Sequence, residues 1–198
     1  AARAAAHGDS RPRTGHLPLS LRRFQTLAVR PASAQFDGNC RLSATSETTV
    51  AVQGELGSFS ELAAFEFFAP DVQIVPCETF AALFDAVRGG RAAFGMAPVE
   101  NSLAGSIDPV WDLLVERVAT IVGELYLRIE HCLIGHRGAR LDNLRHIYSH
   151  QQALAQCQEF IGSLDGVTEV EVYDTAGAVK MIKERGDAAE AAIASAQA

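Results

Sequence analysis

From Thr48 onward the apolar positions switch between two periods. Thr49-Val50-Ala51-Val52 is a short, β-branched run that stops at Gln53-Gly54 and predicts a strand. Phe59, Leu62, Ala63 and Phe67 then recur at helical spacing, and a second strand is expected over 72–75. Phe80, Leu83, Phe84 and Val87 follow the i, i+3, i+4, i+7 pattern, and Gly89-Gly90 signals the end of that helix. A third strand over 92–99 runs into Glu100-Asn101-Ser102. Asp108-Pro109 reads as an N-cap followed by a proline at the first helical position, with Val110, Leu113 and Leu114 turned inward.

Residues 119–134 are β-branched and partly alternating, long enough for an extended crossing between two lobes. The alternation then resumes: strand 146–148, helix 149–161, strand 169–173, helix 175–184, strand 191–194. Strands separated by helices of about ten residues imply parallel βαβ units. The expected fold class is α/β, two small lobes with a central cleft. The first lobe is expected over 46–122. The crossing strand and an incomplete second lobe are expected over 123–198.

Residues 1–45 show no such period. They hold seven Arg, no Lys, no Glu and two Asp, a formal +5. This composition suits a transit peptide or a disordered tail outside the fold. The first reading carries plastid localisation, the second a cytoplasmic one.

Charge elsewhere narrows the function. The remaining residues hold ten basic and 22 acidic side chains, a formal −12. A body that acidic is not expected to grip phosphate backbones, so nucleic acid is excluded as a partner. With 48% hydrophobic and 21% charged residues the chain can build a packed core. Its most apolar stretch is broken by Glu124, Arg128 and Glu130, so no spanning helix of about 20 residues and no membrane partner is expected. Cys40, Cys77, Cys132 and Cys157 lie far apart without a CxxC or HExxH pattern, which fits reduced thiols rather than a zinc site or a disulfide framework.

Three expected helices start alike, directly after a strand or its loop. Ser58-Phe59-Ser60-Glu61 has capping-box spacing, Ser149-His150-Gln151-Gln152 resembles it with glutamine, and Asp174-Thr175 opens the third. Most such caps are only caps. At the carboxyl ends of strands in an open α/β sheet, however, helix starts present free N–H groups and partial positive charge to anions. Gln53-Gly54-Glu55-Leu56-Gly57-Ser58 lacks the third glycine of a dinucleotide loop and the lysine of a P-loop, so its glycines read as allowing a tight turn. Glu100-Asn101-Ser102 follows an apolar strand, either as a plain turn or as a polar cluster with a purpose. His150, at a helix start, is a better functional candidate than His131 in the crossing strand.

In order and spacing, Gln53-Gly54…Gly57-Ser58-Phe59-Ser60, Pro98-Val99-Glu100-Asn101-Ser102 with Gly105-Ser106, Glu124…His131-Cys132-Leu133, Ser149-His150-Gln151-Gln152-Ala153-Leu154-Ala155-Gln156-Cys157, Asp174-Thr175-Ala176 and Ala192-Ile193-Ala194-Ser195 resemble the prephenate dehydratase family, which includes the arogenate dehydratases. The resemblance covers about residues 48–198. It implies two lobes of the periplasmic-binding-protein type II kind with the active site between them. It also implies a reaction that needs no cofactor and no metal: prephenate loses carbon dioxide and its ring hydroxyl to give phenylpyruvate, or arogenate gives phenylalanine. The implied partner is that small-molecule substrate, and the full-length protein is expected to be a homo-oligomer.

Under this resemblance Ser58, Ser60, Asn101, Ser102, Ser149 and Gln152 are expected to bind substrate, with Glu100, His150 and Thr175 as catalytic candidates. Two departures stand out. Gln151 replaces the family's proline, and the family's later Thr-Arg-Phe motif is not found before Ala198. The chain is therefore expected to be a fragment, inactive or severely impaired as it stands. A non-catalytic binding module for small anions or amino acids is the rival reading.

Overall fold

The computed structural model describes residues 15–16, 23–32, 47–102, 105–116 and 119–198. In chain order its elements are β1 (Gly15–His16), β2 (Arg23–Pro31), β3 (Thr49–Gln53), α1 (Phe59–Phe67), β4 (Gln73–Cys77), α2 (Phe80–Arg88), β5 (Phe94–Asn101), β6 (Gly105–Ser106), α3 (Asp108–Val115) and β7 (Ala119–Arg128). They continue as β8 (Cys132–Gly135), a 3-10 turn (Leu141–Asn143), β9 (His146–Ser149), α4 (Gln151–Gln156), α5 (Gln158–Ile161), β10 (Thr168–Glu171), α6 (Thr175–Arg185) and β11 (Glu190–Ala194). The chain is α/β, and its described residues divide into two compact units, one running from β2 to Ile129 and the other from Glu130 to Ala198 together with β1. The boundary thus falls after β7, not at 122/123, and the expected crossing segment is two strands, one in each unit.

In the first unit the strand order is β4-β3-β5-β2-β7, with β6 paired to β5. β3 runs parallel to β4 and β5, while β2 runs antiparallel to both β5 and β7. Helices cover both faces. Leu27, Val29, Ala51, Leu83, Phe84, Val87, Ala97 and Val99 pack on the α2 side, and Ala28, Val50, Val52, Ala63, Ala64, Met96 and Leu127 on the α1 side. Gly95 marks how closely α2 approaches, since a Cβ there would lie 2.8 Å from Leu83 Cδ2.

β2 corrects the expectation that residues 1–45 lie outside the fold. Arg23–Pro31 is a nine-residue strand between two neighbours, and Thr26, Leu27, Ala28 and Val29 are all buried. The physical reason it escapes a periodicity search is its double burial. A strand packed on both faces shows a continuous apolar run instead of alternation. The transit-peptide reading of the other N-terminal residues, and Cys40, lie outside the described residues.

In the second unit the order is β1-β8-β11-β9-β10. β9 is parallel to β10 and β11, and β8 is antiparallel to β11. One face carries Leu144, Ile147, Leu154, Cys157, Ile161 and Ile193, and the other Tyr148, Ala178, Ile182 and Ala192. The expected helix 149–161 is two short helices that meet at Cys157 (φ −106°, ψ 9°), whose backbone leaves the helical region. No helix among the described residues is long and apolar enough to cross a membrane.

Candidate functional site

The candidate residues fall on one edge of each sheet, and each edge is described by itself. In the first unit the parallel strands end at Gln53, Cys77 and Asn101. Gly54 (φ 103°) and Gly57 (φ 88°) both adopt the left-handed backbone region, and the Gly54 N–H donates to the Cys77 carbonyl at 2.9 Å. The glycine-rich loop is therefore a tight turn that delivers the chain into α1. Ser58 caps that helix as expected: its Oγ accepts from the Glu61 N–H at 3.3 Å, and the Glu61 carboxylate accepts from the Gly57 N–H. Ser58 and Ser60 are both buried. Thr79 caps α2 in the same manner at the same edge, a fourth helix start absent from the expected set.

Asn101 and Glu100 part company at the end of β5. Asn101 is 2% exposed and pairs with Phe24 of β2, whereas Glu100 is exposed opposite Gln25. Successive strand residues point to opposite faces, and the register shift between Gln25 and Thr26 sets which face each takes. A bulge re-aims the residues beyond it, so Asn101 shares a face with Phe24, which packs with the α1 cluster. Ser102 is exposed in the turn that follows. The N-terminal end of β2 thus lies beside Glu100 and Asn101, a neighbour that the sequence reading missed. The only signal for it was the run Phe24-Gln25-Thr26-Leu27-Ala28-Val29.

Two expectations about helix starts need correction. Asp108 does not cap α3: it is the first helical residue, Ile107 is the N-cap, and no side chain closes that end. Ser149 does not cap α4 either. It is the last residue of β9, fully buried, and its hydroxyl donates to the Ile193 carbonyl on β11. The cap is His150, whose Nδ1 accepts from the Gln152 N–H at 3.3 Å. Extending the strand by one residue moves the cap along by one. With Nδ1 accepting from the backbone, Nε2 is the ring nitrogen that can act as donor.

Around the same edge of the second sheet Asp174 caps α6, its Oδ2 accepting from the Gly177 N–H at 3.2 Å, and Thr175 is the first helical residue. Ser149 and Glu171 are register partners at the ends of β9 and β10. β11 ends at Ala194, followed by buried Ser195, whose Oγ accepts from the Gln197 N–H at 3.2 Å. β8 starts there too, preceded by His131, which is 4% exposed and whose Nε2 lies 2.8 Å from Gln156 Oε1. Ser149, His150, Gln152 and Thr175 are therefore gathered at one edge, with His131 and Ser195 beside them. Ser58, Ser60, Glu100, Asn101 and Ser102 are gathered at the corresponding edge of the other sheet. No cluster of three metal-ligating side chains occurs among the described residues.

Comparison with known proteins bears on this arrangement. The family model for prephenate dehydratase matches residues 50–198. Arogenate dehydratase/prephenate dehydratase 2, chloroplastic, from Arabidopsis thaliana is 42% identical over 153 residues, 77% of this chain and 40% of the relative. A bifunctional N-acyl-homoserine lactone acylase/prephenate dehydratase from Komagataeibacter europaeus is 42% identical over 152 residues, 77% of this chain and 53% of the relative. Among solved structures, the prephenate dehydratase from Arthrobacter aurescens in complex with L-Phe superposes with a TM-score of 0.70 at 27% identity, covering 76% of this chain and 50% of that one. The chain spans about half or less of the length of these relatives. A family match that runs from Val50, near the start of β3, through residue 198 leaves one assignment: the chain belongs to the prephenate dehydratase family.

Proposed function

We propose that this chain carries the catalytic region of a prephenate or arogenate dehydratase. The observation that supports this reading most strongly is the gathering of the motif residues at strand ends, where helix starts offer N–H groups to carboxylates. In the proposed reaction the substrate's ring carboxylate leaves as carbon dioxide. The electron pair of the broken C–C bond moves into the ring, and the C–O bond of the ring hydroxyl breaks. A proton joins the departing hydroxide, so the products are water, carbon dioxide and phenylpyruvate, or phenylalanine from arogenate.

Aromatisation supplies the driving force, which leaves the protein to orient the carboxylates, exclude water and assist the hydroxyl's departure. Ser58, Ser60, Asn101, Ser102 and Gln152 are proposed to hold the substrate. Ser149 is proposed to act through its backbone placement and its lone pairs, since its proton is committed to Ile193. Thr175 and the Nε2–H of His150 are proposed donors to the leaving oxygen, and Glu100 an electrostatic or acid–base participant.

We place the reaction in the plastid, as the names of the Arabidopsis relatives indicate for those proteins. A targeting segment compatible with the sheet ends before Arg23, because cleavage at residue 45 would strip β2 from the centre of the first unit. The test is a turnover assay of the full chain with prephenate and with arogenate, beside calorimetric titration of both. Release of phenylpyruvate or phenylalanine supports the proposal. Turnover would also overturn the expectation that the chain is inactive as it stands; binding without turnover fits an inactive dehydratase fragment as well as a binding module, and neither binding nor turnover removes both.

A further inference from the structure

The second unit holds a cavity of about 430 Å³ at the end of its sheet where β9 and β11 begin. Two loops cup it, residues 138–145 between β8 and β9 and residues 187–189 ahead of β11. Its volume lies in the range of small-molecule sites. Arg145 and Ser149 stand about 13 Å apart along the chain, at about 3.3 Å per residue. The cavity is therefore separate from the candidate edge at the carboxyl ends of the same strands.

Backbone hydrogen bonds fix its walls. The Arg145 N–H donates to the Ala189 carbonyl at 2.8 Å and ties the two loops together. Within them the Asn143 N–H donates to the Arg140 carbonyl at 3.0 Å, and the Ala189 N–H to Asp187 Oδ1 at 2.9 Å. Four charged side chains line the cavity, two of each sign. Arg140 and Asp142 neutralise each other through two hydrogen bonds of 3.1 Å. Arg145 and Asp187 form no ion pair with each other or with any other described residue. Opposite charges that share a cavity without meeting leave room for a ligand that meets both.

We propose that this cavity binds a free polar α-amino acid, a zwitterion whose carboxylate pairs with the Arg145 guanidinium and whose ammonium pairs with Asp187. Arginine presents its N–H groups in a planar fork that matches a carboxylate. Asp187 keeps Oδ2 for the ammonium while Oδ1 holds the Ala189 N–H. The four charged side chains sum to zero, which suits a ligand of no net charge and disfavours a polyanion such as a phosphate ester. Asn143 and the Arg140–Asp142 pair line the remainder and offer both donors and acceptors, so an amide side chain fits. Walls that are already fixed lower the ordering cost of binding. The site does not depend on the reaction proposed above.

The test is calorimetric titration of the full chain with L-glutamine, beside N-acetyl-L-glutamine, which lacks the ammonium, and L-glutamine α-amide, which lacks the carboxylate. Each analogue should bind at least about tenfold more weakly than L-glutamine. Arg145→Gln and Asp187→Asn should each weaken L-glutamine by at least about tenfold. Asp187→Asn retains a side-chain oxygen for the Ala189 N–H, so the loop should hold, and an unchanged melting temperature checks this. In Asp187→Asn the loss caused by N-acetylation should disappear, and in Arg145→Gln the loss caused by the α-amide. A merely structural substitution would not produce that matching. Hydrogen exchange should slow on binding at residues 138–145 and 187–189, and excess prephenate should not displace the amino acid. Absence of L-glutamine binding at millimolar concentration overturns the proposal. Binding that keeps its strength in both variants, or that prephenate displaces, overturns it equally.

Discussion

Phe24, near the start of the chain, lies directly opposite Asn101 at the far end of β5. The strand end that carries Glu100 and Asn101 is thereby held from one side by a segment distant in sequence. Residues 1–46 should consequently be indispensable to the first unit. A chain starting at Glu47 should lose the central strand and the buried side chains of Leu27, Ala28 and Val29. Hydrogen exchange should show loss of protection in β5 and β7 together, whereas retained protection in both would show that the sheet closes without β2.

The bond from Ser149 to the Ile193 carbonyl spans two buried strands. Ser149→Ala leaves a buried carbonyl short of a partner and should cost about 1–3 kcal/mol. Denaturant unfolding measures this directly. A loss of turnover with unchanged stability would instead point to contact with substrate.

Ser58 and Asp174 each close a helix start with one side-chain hydrogen bond. Ser58→Ala and Asp174→Ala should each reduce stability by about 1 kcal/mol. If these groups also hold substrate, KM should rise by more than the loss of folded protein accounts for. Parallel measurement of melting temperature and KM separates the two contributions.

Tyr148 donates to Glu190 at 2.7 Å and accepts from Arg185 at 2.8 Å, with the guanidinium 5.1 Å above its ring. Burial first, and the neighbouring Glu190 carboxylate second, push the Tyr148 phenol above its ordinary value. A group that holds its proton more tightly when folded contributes fully below its unfolded pKa, about 10 for tyrosine, and loses that contribution as pH rises past it. The second unit should therefore lose stability above about pH 10, and Tyr148→Phe should flatten that loss. Melting temperatures between pH 8 and 11 provide the comparison, and an equal alkaline decline in both proteins would contradict it.

Glu100→Gln tests the acid–base candidate. Glu100 is exposed and its side chain faces away from Asn101, so in an enzyme complete with the Thr-Arg-Phe motif the fold should be unaffected and turnover should fall. Unchanged turnover across pH would exclude a role for its carboxylate.

The strands and helices from Thr49 onward were largely legible because each half-buried helix or short strand repeats at its own period. Ser58 and Asp174 could be read as caps from their position before an apolar stripe. The cap at α4 could not, because whether Ser149 ends a strand or begins a helix depends on Ile193, 44 residues away. β2 was hidden by its central place in the sheet, where both faces are covered and alternation disappears. Which face Asn101 takes depends on a bulge, and a bulge is a relation between two strands that one strand's sequence does not encode.

Placing β2 between β5 and β7 also has a cost in time. Its hydroxyl from Thr26 reaches the Leu125 carbonyl, 99 residues later in the chain. On a ribosome this strand emerges before either neighbour exists and must wait, apolar and unpaired, until both have been synthesised. Contacts of such long separation slow folding and lengthen exposure to aggregation. The first unit should therefore be the kinetically vulnerable half of the protein, dependent on prompt completion of β7.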